Sequence, residues 1–400
     1  MGVSAYLVAV FHRTSLGVGA IDAEHRYHVG PSVLAAFVAV QLGLYAALQI
    51  PTGAAADRFG PRRMLVGALI CMAVGETLFA LATFAPLGIA GRALVGVGAA
   101  LTFLSVLRLV QNWFPARRYG LLAALTGLVG AAGQLISTVP LRQSLSHLHW
   151  SATFLVTALA TALLAVVLAA ALRDRPPGAP VVHASEPMLD AVRAVMRRSG
   201  TWQGMWAHFT LTGPFVVFTA LWGYPYLVDV QHYSPQEASV VLAFVVVTTI
   251  VTAPFIGLLI SHAPRSRPVI VLANGTALLA AWLLVLLWGP GPVPVGCIAL
   301  LVVTTGIAAP ASVAGFDLAR EANRVDRGGA ATGVVNIGGF TGAVVVDVAI
   351  GLVLGGTTGG SDPMRFRLAL AAVPAMIVVG LVLFGVSRRR AFDGAPNVRG

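Results

Sequence analysis

Six ionisable side chains stand out inside otherwise apolar runs of this 400-residue chain: His12, Arg13, Glu76, Arg92, Arg108 and Asp347. A charge placed in hydrocarbon costs several kcal/mol unless it meets a partner or a water-filled cavity, so each is a candidate for function. At about 1.5 Å of rise per residue, His12, Arg13 and Glu76 fall near the middle of their runs. Apolar surroundings favour a neutral Glu76 and a neighbouring arginine favours a charged one. A carboxyl held between those two influences can take up and release a proton. An unperturbed histidine titrates in the range a relay needs, which makes His12 a candidate. Two plainer readings stand beside these: a Glu76–Arg13 ion pair that only fixes helix packing, and a His12 bonded to a backbone carbonyl. Arg92 has an alternative too, as it lies close enough to one end of its run to snorkel to the headgroups. Arg13, Arg92 and Arg108 outnumber Glu76 and Asp347, an excess of buried positive charge that favours a solute bearing a carboxylate or another anionic group. Asp347 is the one acid within the C-terminal runs and joins the candidate relay.

Uncharged polar residues extend the set. Gln41, Tyr45 and Gln49 recur at i, i+4 and i+8 and share one helical face, as cavity lining or as interhelical hydrogen bonds. Gln134 and Asn336 are similar candidates. Gly127, Gly130 and Gly133 form a small-residue seam that lets helices approach closely. Pro214 and the stretch Trp222-Gly223-Tyr224-Pro225-Tyr226 break a helix near its end, as at a gate, or belong to a membrane-interface aromatic belt, the reading preferred here. His25 with His28, and His147 with His149, lack acidic or cysteine partners and read as solvated side chains rather than metal ligands.

The elements that must position these residues follow from composition. Hydrophobic residues make up 57% of the chain and charged ones 10%, with a mean hydropathy of +0.85, which points to a polytopic membrane protein. All 26 basic residues are arginine. Without lysine there is no Walker A phosphate loop and no pyridoxal or retinal Schiff base. Cys71 and Cys297 lie in separate apolar runs and imply no disulfide framework or metal cluster. No cofactor is expected. The chain opens almost directly in an apolar run interrupted by Arg13, a poor match to a cleaved signal peptide.

Twelve apolar segments are expected, near residues 3–21, 33–55, 64–84, 87–111, 120–141, 150–172, 202–228, 238–260, 268–288, 293–316, 329–355 and 366–386. Nineteen of the 26 arginines fall in one alternating set of connections and four (Arg26, Arg142, Arg365, Arg367) in the other. The positive-inside rule then puts both termini in the cytoplasm and explains the net charge of +11 without nucleic acid. The richest of these connections, Gly53-Ala-Ala-Ala-Asp57-Arg58-Phe-Gly60-Pro61-Arg62-Arg63, packs four charges and a turn between two apolar runs.

That stretch resembles the G-x-x-x-D-R-x-G-R-R signature of the major facilitator superfamily, with Pro61 the inserted difference. Arg92-Ala-Leu-Val-Gly96-Val-Gly98-Ala-Ala100 resembles the superfamily's fourth-helix motif, R-x-x-x-G-x-G-x-A. The resemblance implies an all-α membrane protein of twelve transmembrane helices in two pseudo-symmetric six-helix bundles. It also implies that Arg92 faces a central cavity, and that Asp57 latches a gate for which Arg108 is a candidate partner. The chain is doubled in keeping with this: Gly257 to Arg267 overlays Gly53 to Arg63 without the acid, and Gly333, Asn336 and Gly339 overlay Gly127, Gly130 and Gly133. The expected domains are residues 1–172, a cytoplasmic linker at 173–200, residues 201–387 and a tail at 388–400. Within the linker, Met188, Leu189, Val192, Val195 and Met196 oppose Arg193 and Arg197, reading as a basic amphipathic helix on anionic lipid.

The function implied is a secondary transporter in the cell membrane, not an enzyme. It moves a small solute by alternating access, coupled to protons, and acts as a monomer. A multidrug/proton antiporter is the alternative, weakened because the fifth helix carries Gly130-Ala-Ala-Gly133-Gln134 where the antiporter motif has Gly-Pro. A membrane-embedded enzyme or a non-transporting sensor is the alternative of another class.

Overall fold

The computed structural model describes residues 1–114, 119–176, 188–288, 291–324, 327–355 and 363–393. Among them the chain forms helices only: α1 (Gly2–Val18), α2 (Ala20–Tyr27), α3 (Pro31–Phe59), α4 (Pro61–Leu81), α5 (Ala85–Trp113), α6 (Tyr119–Ile136), α7 (Val139–Ala171), α8 (Met188–Met196) and α9 (Ser199–Val217). A π-helical turn, α10 (Gly223–Pro225) and a second π turn then continue α9 to Val230. After these come α11 (Pro235–His262), α12 (Arg267–Leu286), α13 (Val295–Ala311), α14 (Val313–Glu321), α15 (Gly328–Gly355), α16 (Pro363–Leu370) and α17 (Ala372–Asp393). Among the described residues ten stretches are long and apolar enough to cross a membrane. One of them, Leu125–Ala171, contains most of both α6 and α7, and α1 is a further apolar helix of 17 residues. The result is twelve spans with two ends, one arginine-rich and one far end.

Local chemistry sets the boundaries. Proline opens α3, α4, α5, α7, α11 and α12, where its missing N–H costs nothing. Ser234 and Glu237 form a reciprocal capping box at the start of α11. Inside the bundle, helices approach until only glycine fits. A Cβ on Gly91 would lie 2.6 Å from the Gly75 carbonyl oxygen, one on Gly96 2.4 Å from that of Gln41, and one on Gly98 2.5 Å from that of Ala68. The fourth-helix glycines therefore let α5 sit between α3 and α4. Large apolar side chains such as Leu159, Leu163, Phe255 and Leu258 point outward, as a lipid-facing surface requires.

The N-terminal and C-terminal helices meet along a seam. There α3 packs on α15, α1 on the π turn after α9, and α11 on α6 and α7. Gly17 touches the Thr219 carbonyl, and Gly351 and Gly355 leave room only for Ala35 and Ser32. The seam corrects one expectation: Trp222, Tyr224 and Tyr226 form no interface belt. Each is at most 1% exposed. The π turns that follow Pro214 rotate these rings inward, where Trp222 and Tyr226 pack on Phe366.

The expected first and sixth segments also differ. α1 ends at Val18 and the chain restarts as α2 after Gly19, while α7 begins at Val139 and bends at His149, whose φ is +59°. The amphipathic stretch in the linker is α8; its Val195 buries against Ala319, Ala331, Val334 and Val335, so the helix docks on protein as well as presenting Leu189 outward.

Candidate functional site

Three of the ionisable residues converge inside the N-terminal bundle. His12 comes from α1, Glu76 from α4 and Arg92 from α5, all without exposed surface. His12 Nδ1 lies 3.3 Å from Glu76 Oε1, and Arg92 Nη1 lies 3.7 Å from Glu76 Oε2. Arg92 also donates to the His12 carbonyl at 2.9 Å and to Ser15 Oγ at 3.3 Å, and its guanidinium stacks 5.0 Å from the Phe79 ring. Two expectations change here. The partner of Glu76 is Arg92, not Arg13, and Arg92 neither snorkels nor faces a central cavity, because α1 lies in front of it.

Hydrogen bonding orients the His12 ring. The Thr161 hydroxyl donates to the Thr157 carbonyl at 2.8 Å, so toward His12 Nε2, also at 2.8 Å, it can only accept. Nε2 therefore carries a hydrogen and Nδ1 faces the carboxylate. His12 Nδ1 and both Glu76 oxygens have no hydrogen-bond partner among the described residues. Tyr27, Phe37, Phe79, Trp150 and Phe154 stack at 4.6–6.2 Å between the cluster and the far end. The Phe79 carbonyl accepts from both Tyr27 and Trp150, which ties this aromatic plug to the turn after Glu76.

Arg13 points the other way. Its guanidinium lies 5.2 Å from the Tyr45 ring of α3 and 5.3 Å from the Phe340 ring of α15, rings that are themselves 4.6 Å apart across the seam. Tyr6 bonds it, and among the described residues no carboxylate lies within ion-pair distance. Gln41 is buried with neither amide atom bonded, and Gln49 is buried with an unbonded amide nitrogen. Gln134 is buried in α6, whereas Asn336 is half-buried and bonds His208, a histidine that sequence reasoning missed. His208 also pairs with Thr212 and stacks on Phe316. Asp347 is buried in α15 with neither oxygen hydrogen-bonded.

The motif between α3 and α4 is held from an unexpected quarter. Gly60 turns the chain at φ +82° and Asp174, from the start of the linker, packs against it. The Asp174 carboxylate accepts from the Arg62 amide at 2.6 Å, Arg62 reaches the Ala169 carbonyl, and Asn112 donates to the Asp174 carbonyl at 2.9 Å. Arg63 is exposed, and Arg108 donates to Gln111. Gly53, Asp57 and Arg58 lie in the last turns of α3, with side-chain positions outside the described residues. In the second half Arg267 pairs with Asp317 at 3.8 Å and with Glu321. The acid missing from the repeated motif is thus supplied by α14.

A family model described as Major Facilitator Superfamily matches residues 2–347. Among curated proteins the chain is 37% identical over 114 residues to the multidrug efflux pump LfrA of Mycolicibacterium smegmatis, 28% of this chain and 22% of that one. It is 26% identical over 180 residues to a protein of Agrobacterium vitis assigned as a tartrate transporter, 43% and 41% respectively. The MFS-type transporter Rv1250 of Mycobacterium tuberculosis, itself uncharacterised, is 25% identical over 60% of this chain and 50% of its own. The matches thus span no more than half the length of these relatives. Among solved structures, a bacterial homologue of the human lysosomal transporter Spinster, inward-facing and unoccupied, superimposes with a TM-score of 0.77 at 15% identity, over 99% of this chain and 97% of that one.

Proposed function

The chain belongs to the Major Facilitator Superfamily, and from that membership we propose that it carries a small anionic solute across the cell membrane by alternating access, coupled to protons. The arginine-rich end faces the cytoplasm in this reading, by the positive-inside rule. Residues 1–172 and 201–387 act as the two moving bundles, joined by the linker at 173–200 and followed by the tail at 388–400. The observation that carries the proposal is Arg13: a cation between the two halves, stacked on Tyr45 and Phe340 and without a carboxylate partner among the described residues. A solute carboxylate supplies the missing anion and gains a planar two-pronged donor. The aromatic rings on either side hold the guanidinium in place while the bundles rock around it.

Proton coupling is assigned to the His12–Glu76 pair, whose Nδ1 and Oε1 lie 3.3 Å apart. The pair lies directly behind Arg13 on α1, so a change of charge there acts on the same helix that grips the solute. Purified protein in proteoliposomes tests both parts. Under an imposed pH gradient, wild type accumulates a small dicarboxylate. Glu76→Gln loses gradient-driven accumulation but keeps counterflow exchange, because binding and rocking survive. Undiminished gradient-driven uptake in Glu76→Gln refutes the coupling role, and accumulation of lipophilic cations instead of dicarboxylates refutes the substrate class.

A further inference from the structure

Asp347 is a carboxyl group without a protein partner among the described residues of the seam. It lies in α15 with no exposed surface, and neither oxygen finds a hydrogen-bond donor. Its position along the helix says what it faces. Residues 340, 344, 347 and 351 share one face of α15. At one end of that stripe Phe340 meets Tyr45, and at the other a Cβ on Gly351 would lie 2.5 Å from the Ala35 side chain. Asp347 therefore enters the junction of the two halves between those levels, where α3 presents Val38 and Leu42, both buried.

The charged groups nearby do not neutralise it. α1 brings Arg13, which lies over Phe340, two turns of α15 and about 10 Å from Asp347. α9 brings His208, against Gly339. α16 brings Arg365, which donates to the Val353 carbonyl, and Arg367, which donates to carbonyls at Trp288 and Gly291. α3 contributes Tyr45 at the level of Phe340; the ionisable groups of α8, α14 and α17 lie toward the arginine-rich end. Among the described residues none forms an ion pair with Asp347.

An unpaired carboxylate walled in by valine and leucine carries a desolvation cost of several kcal/mol, well above that of the neutral acid. Packing α3 against α15 and holding a proton on Asp347 are therefore favourable together. When the halves part at the far end, water reaches the group and the proton can leave. We infer that Asp347 is a proton site that couples protonation to closure of the outer seam, a role separate from the His12–Glu76 pair and resting on the alternating-access reading above. A proton suits the site better than sodium, since one carboxyl among apolar side chains offers too few oxygens for a hard cation.

The test reads the seam rather than transport, so it succeeds or fails independently of the substrate. Spin labels are placed at the far end of each half by Phe84→Cys and Leu287→Cys, both at exposed positions, with Cys71→Ala and Cys297→Ala removing the native thiols. In nanodiscs without solute, electron–electron distance measurements should show one short population at pH 5. A longer one should grow as pH rises, by up to about tenfold per pH unit, the limit for one linked proton. Asp347→Asn, neutral at every pH, should keep the short population throughout. If Asp347→Asn tracks wild type, if wild type does not respond to pH, or if sodium at fixed pH moves the distribution, the inference is overturned.

Discussion

Adjacent residues on a helix point about 100° apart, and that angle separates the two chemistries of α1. His12 turns into the N-terminal bundle toward Glu76 and Arg92, while Arg13 turns to the seam and the rings of Tyr45 and Phe340. The sequence marks both residues as important because each interrupts an apolar run, but it does not tell which meets Glu76. That depends on the rotation of α1 against α4 and α5, which is set by contacts such as Gly2 on Leu109 and Leu65. If Arg13 grips a solute anion, Arg13→Ala should raise the KM for a dicarboxylate by roughly ten- to a hundredfold, the scale of a lost charged hydrogen-bond pair. Arg13→Lys should recover part of this, because a point charge neither stacks on two rings nor bonds in two places. Thermal stability should change little in either variant, since no buried carboxylate is left unpaired. Equal KM values for wild type and Arg13→Ala would remove Arg13 from the binding site.

At the scale of elements, prolines, the alternation of arginine-rich connections and the spacing of Gly53, Gly60 and Arg62 reveal where helices begin, end and turn. The partner of the turn is hidden, because Asp174 lies 112 residues from Arg62 and sits in a stretch that reads as linker. Its carboxylate accepts from an amide in the first turn of α4, the role of an N-terminal cap supplied from a distance, where the helix dipole also favours negative charge. Asp174→Ala should destabilise the protein by about 1 kcal/mol, the usual value of such a cap, with Asp174→Asn retaining more stability. A melting temperature unchanged in Asp174→Ala would show that α4 starts without it. The π turns after Pro214 were equally hard to read: a proline and glycine announce a break, but only packing against Phe366 decides that the aromatic rings go inward.

For the whole molecule, the doubled sequence and the twelve apolar runs expose the architecture, whereas the way the two halves hold each other does not show in any one of them. At the far end that hold combines opposite charges with a like-charge conflict. Arg142 pairs with Asp22 at 2.5 Å and also bonds Tyr224, tying α7 and α2 to the segment that continues α9. Close by, burial pushes the Glu24 carboxyl up to about 7, and the negative charge of Asp229 across the seam adds to the effect. A carboxyl raised in the folded state is held there in its protonated form. Its penalty is therefore absent below the unfolded value near 4.5, grows as pH rises, and is complete above about 7. Glu24→Gln removes the ionisation, so its melting temperature should exceed that of wild type at pH 8 and converge on it below pH about 4.5. The gain should be about 2–4 °C, corresponding to ~1 kcal/mol once solvent screening of this part-exposed group is allowed for. Melting curves of both proteins across that pH range decide the matter: a Glu24→Gln advantage that is the same at every pH means that the carboxyl's charge does not weigh on the closed seam.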